Sequence, residues 1–281
     1  MNLLIDAGNT RIKWALVNGN DWLCGGVLPT GQASGLPMHL ADHFDRIGAG
    51  LQDMQIWVSN VAGAEVARHI CSIGLEQPVR PHFIVAREMQ CGVRNGYSSA
   101  FQLGSDRWAA LVAAWHLTGG SCLVVNSGTA TTVDALSATG EFLGGLILPG
   151  VELMQRCLCA AADGLHPAQA ELAQGECVPF PLNTADALMS GAIQASCGAI
   201  VRQHALLGDG SAPILLSGGA AKILQAHFDP DTMDRNEDSP DAPDGTGHAS
   251  PVKRDRNSVP LRVVDNLVLQ GLLLIAQEAG E

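Results

Sequence analysis

Three short stretches carry residue types that do chemistry. Asp6-Ala-Gly-Asn-Thr10 places a carboxylate, a glycine, a carboxamide and a hydroxyl in one turn between two apolar runs. Successive amides in such a turn can form a nest for an anion, and Asp6 can hold a cation or its water shell. The same residues also suit an ordinary hairpin in which Asp6 and Asn9 make side-chain turn bonds. A second turn of the same kind, Asn126-Ser-Gly-Thr-Ala-Thr-Thr132, follows the apolar run Cys122-Leu-Val-Val125. Between them lies Gly104-Ser-Asp-Arg107, at the start of an alanine-rich segment. Asp106 there is either a helix N-cap beside a solvated Arg107, or a carboxylate base beside an anion-binding arginine.

These stretches need elements to hold them. Leu3–Ile5 and the alternating Ile12, Trp14 and Leu16 read as two strands, with a third over Trp22 to Leu28. The spacing predicts a helix over 36–47, a strand over 55–61, a helix over 64–73 and a strand over 82–85. Residues 91–103 read as irregular and contain Tyr97, the chain's one tyrosine. A helix follows to about Leu117. Then the opening layout returns: strand, Gly-Thr turn, strand, turn, strand, ending at Gly144-Gly145 and Pro149-Gly150. Helices over 151–162 and 184–206 come next, the second rich in Ala, Gly and Ser. Ile214–Leu216 is a strand running into Ser217-Gly-Gly219, a turn that either presents amides to a phosphate, makes room for a base, or packs tightly. Asp229 to Asn257 is dense in Asp, Pro, Gly and Ser and reads as a solvated, disordered insertion. A short strand over 261–264 and an apolar helix over 267–276 close the chain.

Composition narrows the class. At 281 residues, 47% hydrophobic and 16% charged, the chain is long and apolar enough to bury a large core. A net charge of -12 argues against a nucleic-acid surface. No apolar run reaches membrane-span length, and the N-terminus has no basic n-region, so neither a membrane nor a leader is expected. None of the eight cysteines forms a CxxC pair, which points to a reducing cytoplasm. There is no GxxxxGK[ST] signature, so any nucleotide site must be of another design.

Taken in order, Asp6-Ala-Gly-Asn-Thr-Arg-Ile-Lys13, Gly104-Ser-Asp-Arg107, Gly128-Thr-Ala-Thr-Thr132 with Asp134, Gly144-Gly145 through Pro149-Gly150, and Ser217-Gly218-Gly219 resemble the type III pantothenate kinase family, also known by the Bvg accessory factor label. The resemblance covers nearly the whole chain apart from the acidic insertion. It implies an α/β protein of the actin-like ATPase superfold: two ribonuclease-H-like domains, 1–117 and 118–281, with mixed sheets flanked by helices and an active-site cleft between them. It implies ATP-dependent phosphorylation of pantothenate to 4'-phosphopantothenate, the first step of coenzyme A synthesis, with Mg²⁺ accompanying ATP. Carried over, Asp6, Ala7, Gly8, Asn9, Thr10, Arg11, Ile12 and Lys13 form the first phosphate-binding turn, and Thr129 contacts ATP. Asp106 is the general base. Tyr97, Gly104, Ser105, Asp106 and Arg107 line the pantothenate pocket, with Thr184 as a further substrate contact, and the protein is a homodimer. Many members carry an aspartate that binds a monovalent cation where this chain has Asn126. An amide oxygen brings no charge, so K⁺ or NH₄⁺ is expected to matter little. The alternatives are another small-molecule kinase of the superfold, or a non-catalytic regulatory accessory factor.

Overall fold

The computed structural model describes residues 1–47, 54–73, 80–162, 174–228 and 260–280. The expected insertion at 229–257 lies outside the described residues, as does part of the loop over 165–181.

The chain builds one strand pattern twice. In the first half, β1 (Asn2–Ala7), β2 (Arg11–Asn18) and β3 (Asp21–Pro29) form an antiparallel meander. Helix α1 (Leu36–Ile47) leads to β4 (Gln55–Asn60), which adds parallel to β1. Helix α2 (Ala64–Cys71) leads to β5 (His82–Phe83), parallel to β4, so the sheet order is β3-β2-β1-β4-β5. Two short strands, β6 (Met89–Gln90) and β7 (Val93–Asn95), then precede α3 (Ser105–Thr118).

The second half repeats the plan. β8 (Cys122–Ser127), β9 (Ala130–Leu136) and β10 (Glu141–Pro149) form the meander. After α4 (Val151–Ala161) and α5 (Thr184–Leu207), β11 (Ile214–Ser217) adds parallel to β8. Helix α6 (Ala221–His227) leads to β12 (Leu261–Val263), parallel to β11, and α7 (Leu267–Gly280) ends the described chain. The sheet order is β12-β11-β8-β9-β10-β7-β6, whose first five strands match the first sheet in order and direction.

Both central strands are apolar runs because both of their faces are buried. Leu3 and Ile5 pack with Trp14, Leu40 and Phe44 on the α1 and α2 side, whereas Leu4 faces Ala15, Trp57, α3 and α7. In the second sheet, Val124 joins α3 and α7, while Leu123 and Val125 pack against α4, α5 and α6. Helices α3 and α7 are therefore sandwiched between the two sheets. Their close crossing explains the alanine-rich sequence of α3, since a side chain at Gly271 would run into the backbone of Ala109.

Two short elements differ from the sequence reading. The strand expected over 82–85 ends at Phe83, although the Ile84 amide still donates to the Val58 carbonyl at 2.9 Å. The irregular stretch 91–103 contains β7, which pairs with β10 through Arg94 and Asn95. Three residues are too few for an alternating pattern to show in sequence.

Candidate active site

The two Gly-Thr turns meet. The first is closed by the Gly8 amide donating to the Arg11 carbonyl at 3.1 Å, and Thr30 steadies it with its hydroxyl on the Gly8 carbonyl at 2.6 Å. The second is closed by the Gly128 amide on the Ala130 carbonyl at 2.9 Å. The Ser127 and Thr131 hydroxyls brace it beneath, 2.9 Å apart. At the tips, Thr10 Oγ1 and Thr129 Oγ1 lie 2.6 Å apart, both on exposed residues. The turn after β11 joins them: the Ala220 amide donates to the Ser127 carbonyl at 3.1 Å, and Gly219 packs against the Arg11 guanidinium. Asn9, Thr10 and Arg11 are exposed around this junction, whereas Ala7 and Ile12 are buried in the core beneath the first sheet. Those two can face a ligand only through their backbone.

Asp6, next to last in β1, sits between Lys13 on β2 and Ser59 on β4. Burial and the negative charge of Asp106 push its carboxyl up to about 7, with Lys13 pulling it back down. Two carboxylates that repel one another suit a cation placed beside them. Among the described residues, no group of three or more His, Cys, Asp or Glu is placed to hold a metal alone. A magnesium ion held by one carboxylate, its waters and the nucleotide's phosphates fits this donor set.

Asp106 stands in the first turn of α3. The helix has no side-chain cap: Gly104 is its N-cap residue, and the Asp106 carboxylate accepts the Arg107 amide at 2.8 Å instead. The lack of a Cβ at Gly104 makes room for that carboxylate, since a Cβ there would lie 2.7 Å from Asp106 Oδ1.

Arg107 is neither solvated nor an unpaired anion-binding cation. It is 6% exposed and grips Asp134 with two bonds, Nη2 to Oδ1 at 2.5 Å and Nε to Oδ2 at 3.1 Å. Its Nη1 donates to the Tyr97 hydroxyl oxygen at 2.9 Å. Burial opposes the guanidinium charge, but the bonds and charge of Asp134, helped by Tyr97, outweigh it and hold Arg107 firmly protonated. Three of its five N–H donors are used in these bonds. Gly145 leaves the space this pair occupies, because a Cβ there would strike Asp134. Tyr97 is set by Asn95, whose side chain accepts the Tyr97 amide at 3.0 Å and donates to the Ala100 carbonyl at 3.2 Å.

Thr184 is not part of this cluster. It opens α5 after the capping residue Asn183 and is exposed. Its helix packs on the face of the second sheet opposite α3. Asn126, next to last in β8, lies beside Ser217, half-buried next to Gly218. Sequence reasoning assigned no role to Ser59, Asn95 or Asp134. For Ser59 the signal was a small polar residue ending a buried strand; for Asp134, an acid in the middle of an apolar strand.

A model of the type III pantothenate kinase family matches residues 2–205. A type III pantothenate kinase from Nitrosospira multiformis is 43% identical over 99% of this chain and 92% of its own length. One from Aromatoleum aromaticum is 40% identical over 99% of this chain and 98% of its own. Among solved structures, component A of (R)-2-hydroxyglutaryl-CoA dehydratase from Acidaminococcus fermentans aligns with a TM-score of 0.55 at 10% identity, covering 100% of this chain and 99% of that one. A ROK hexokinase from Thermus thermophilus aligns with a TM-score of 0.52 at 15% identity, with the same coverage. These two likenesses carry the fold, an actin-like ATPase and sugar kinase architecture.

Proposed function

The chain belongs to the type III pantothenate kinase family and phosphorylates pantothenate in coenzyme A biosynthesis, and we propose that it does so with Asp106 as general base in the cleft where the two Gly-Thr turns meet. The observation that carries this reading is the junction itself. Thr10 and Thr129 come from equivalent turns of the two halves, with Asp106 near enough to act electrostatically on Asp6.

Phosphoryl transfer depends mainly on positioning and on stabilising developing charge. Residues Asp6 to Lys13 and Thr129 hold the ATP phosphates, through turn amides, the Thr10 and Thr129 hydroxyls, and Arg11 and Lys13 at the rim. Asp6 would hold a Mg²⁺ ion accompanying ATP, which when bound would supply neutralisation of phosphate charge. Asp106 takes the proton of the pantothenate primary hydroxyl as its oxygen attacks, a contribution of roughly 10²–10⁴-fold. Tyr97, Gly104, Ser105 and Arg107 form the pantothenate pocket. With Arg107 matched by Asp134, that pocket offers hydrogen-bond donors rather than an unbalanced charge. Asn126 makes the protein a weak responder to K⁺ or NH₄⁺.

The two halves, 1–117 and 118–281, are the proposed lobes, with β6 and β7 of the first completing the sheet of the second. The protein acts as a homodimer in the cytoplasm. Eight free thiols support the compartment. Among the described residues, no helix is long and apolar enough to cross a membrane. An open groove of about 450 Å³, lined by Leu146, Gly198, Ala199, Arg202, Gln203 and Leu206, supports pairing of two copies. Thr184, the further substrate contact, opens the same helix that carries Gly198 to Leu206 of this groove. Pantothenate-dependent ADP release by the purified protein, compared with release on hexoses, tests the function. Turnover on hexoses alone would make it another kinase of the superfold, and tight DNA binding without turnover would make it a regulator.

A further inference from the structure

We infer that Ser59 is a positioning residue for the phosphoryl-transfer step, clasping the end of β4 to the start of α3 so that Asp106 is held at a fixed distance from the first phosphate turn. Ser59 Oγ and Ser105 Oγ lie 3.0 Å apart, 46 residues apart in sequence, and both side chains are buried. Each hydroxyl is the partner the other needs, because a buried hydroxyl without a bond is costly.

Its place in the sheet gives this pair a consequence beyond stability. Ser59 is the register partner of Asp6, so the residue beside the phosphate turn is also the one that grips the helix carrying the base. Ser105 directly precedes Asp106. The end of β4 is itself stiff. The Val61 amide donates to the Ala7 carbonyl at 3.0 Å, and Asn60 accepts the Ala62 amide at 3.0 Å while donating to the Gly63 carbonyl at 3.0 Å. Val61 also backs Gly104, with Cγ1 3.8 Å from where a Cβ would stand. β4 therefore connects phosphate turn and base as a rigid spacer, and the hydroxyl pair is its polar attachment to α3. A misplacement of about 1 Å can cost 10²-fold in rate, so loosening one hydrogen bond has a kinetic signature.

The inference rests on Asp106 being the base, so Asp106→Asn is assayed in parallel. Ser59→Ala, Ser105→Ala and the double variant are compared for kcat, for KM of both substrates, and for ATP hydrolysis without acceptor. Each single variant is expected to lose about tenfold in kcat, and the double variant no more than the worse single one, since each hydroxyl acts through the other. In Ser59→Ala, KM for ATP and acceptor-free hydrolysis stay within about twofold. A purely structural role would lower the melting temperature and leave kcat of the folded protein unchanged, and that result in Ser59→Ala overturns the inference. If Ser59→Ala does not fold, Ser59→Cys carries the same comparison with the same two outcomes. An active Asp106→Asn would remove the base assignment instead; an inactive Asp106→Asn beside a fully active Ser59→Ala would remove only the clasp.

Discussion

Thr10 Oγ1 and Thr129 Oγ1 lie 2.6 Å apart across 119 residues of chain, the point at which two copies of one strand pattern touch. Each threonine is the exposed tip of a turn closed by its own glycine amide, and the hydroxyls of the two turns meet at the junction. Thr129→Ala should raise KM for ATP several-fold while costing at most about 1 kcal/mol of stability, as expected of one exposed hydrogen bond. Calorimetric titration with ATP analogues, beside thermal melting, checks both halves of that expectation.

The Arg107–Asp134 pair should behave quite differently from an ion pair at the surface. Asp134→Asn strands a guanidinium in a site only 6% exposed, which costs about 3–5 kcal/mol and weakens the hold on Tyr97. Glu152→Gln breaks a pair with Arg156 whose side chains are 83% and 60% exposed and 3.8 Å apart, and should change stability by about 0–1 kcal/mol. Urea denaturation of the two variants side by side reads the contrast.

Asp6 gives the unliganded protein a pH dependence of known sign. Its folded carboxyl titrates at about 7, against about 4 in the unfolded chain, so the folded state binds the proton more tightly. That contribution is complete below about pH 4 and is lost as pH rises towards 7. Unfolding midpoints should therefore fall across this window in the wild type and fall less in Asp6→Asn. Asp106→Asn should shift the Asp6 titration downward, because it removes the second cause of the rise.

Asn126 is the position to change for cation response. The wild-type rate should vary little when K⁺ is replaced by a bulky organic cation. Asn126→Asp adds a charge at the end of β8 and should create a saturable K⁺ activation. Steep K⁺ activation of the wild type would contradict the reading.

Much of the frame was legible because burial writes itself into local pattern. The runs Leu3–Ile5 and Leu123–Val125 are continuous because both sheet faces are covered, and α7 is apolar over most of Leu267 to Ala276 because it lies between two sheets. The repeated Gly-Thr turn marked where the two halves meet. What stayed hidden were relations between distant residues. Arg107 reads as a surface or ligand-binding cation until Asp134, 27 residues on and on a different element, is brought beneath it. Ser59 and Ser105 look like two unremarkable small residues until β4 and α3 meet. β7 was too short to carry a pattern of its own.

The central claim is that Asp106 takes the proton from the attacking hydroxyl, and pantothenate-dependent ADP release by Asp106→Asn tests it most directly. The account predicts a loss of about 10²–10⁴-fold in kcat, with ATP binding and the thermal melt preserved. Turnover close to wild type in a folded, ATP-binding Asp106→Asn would contradict it.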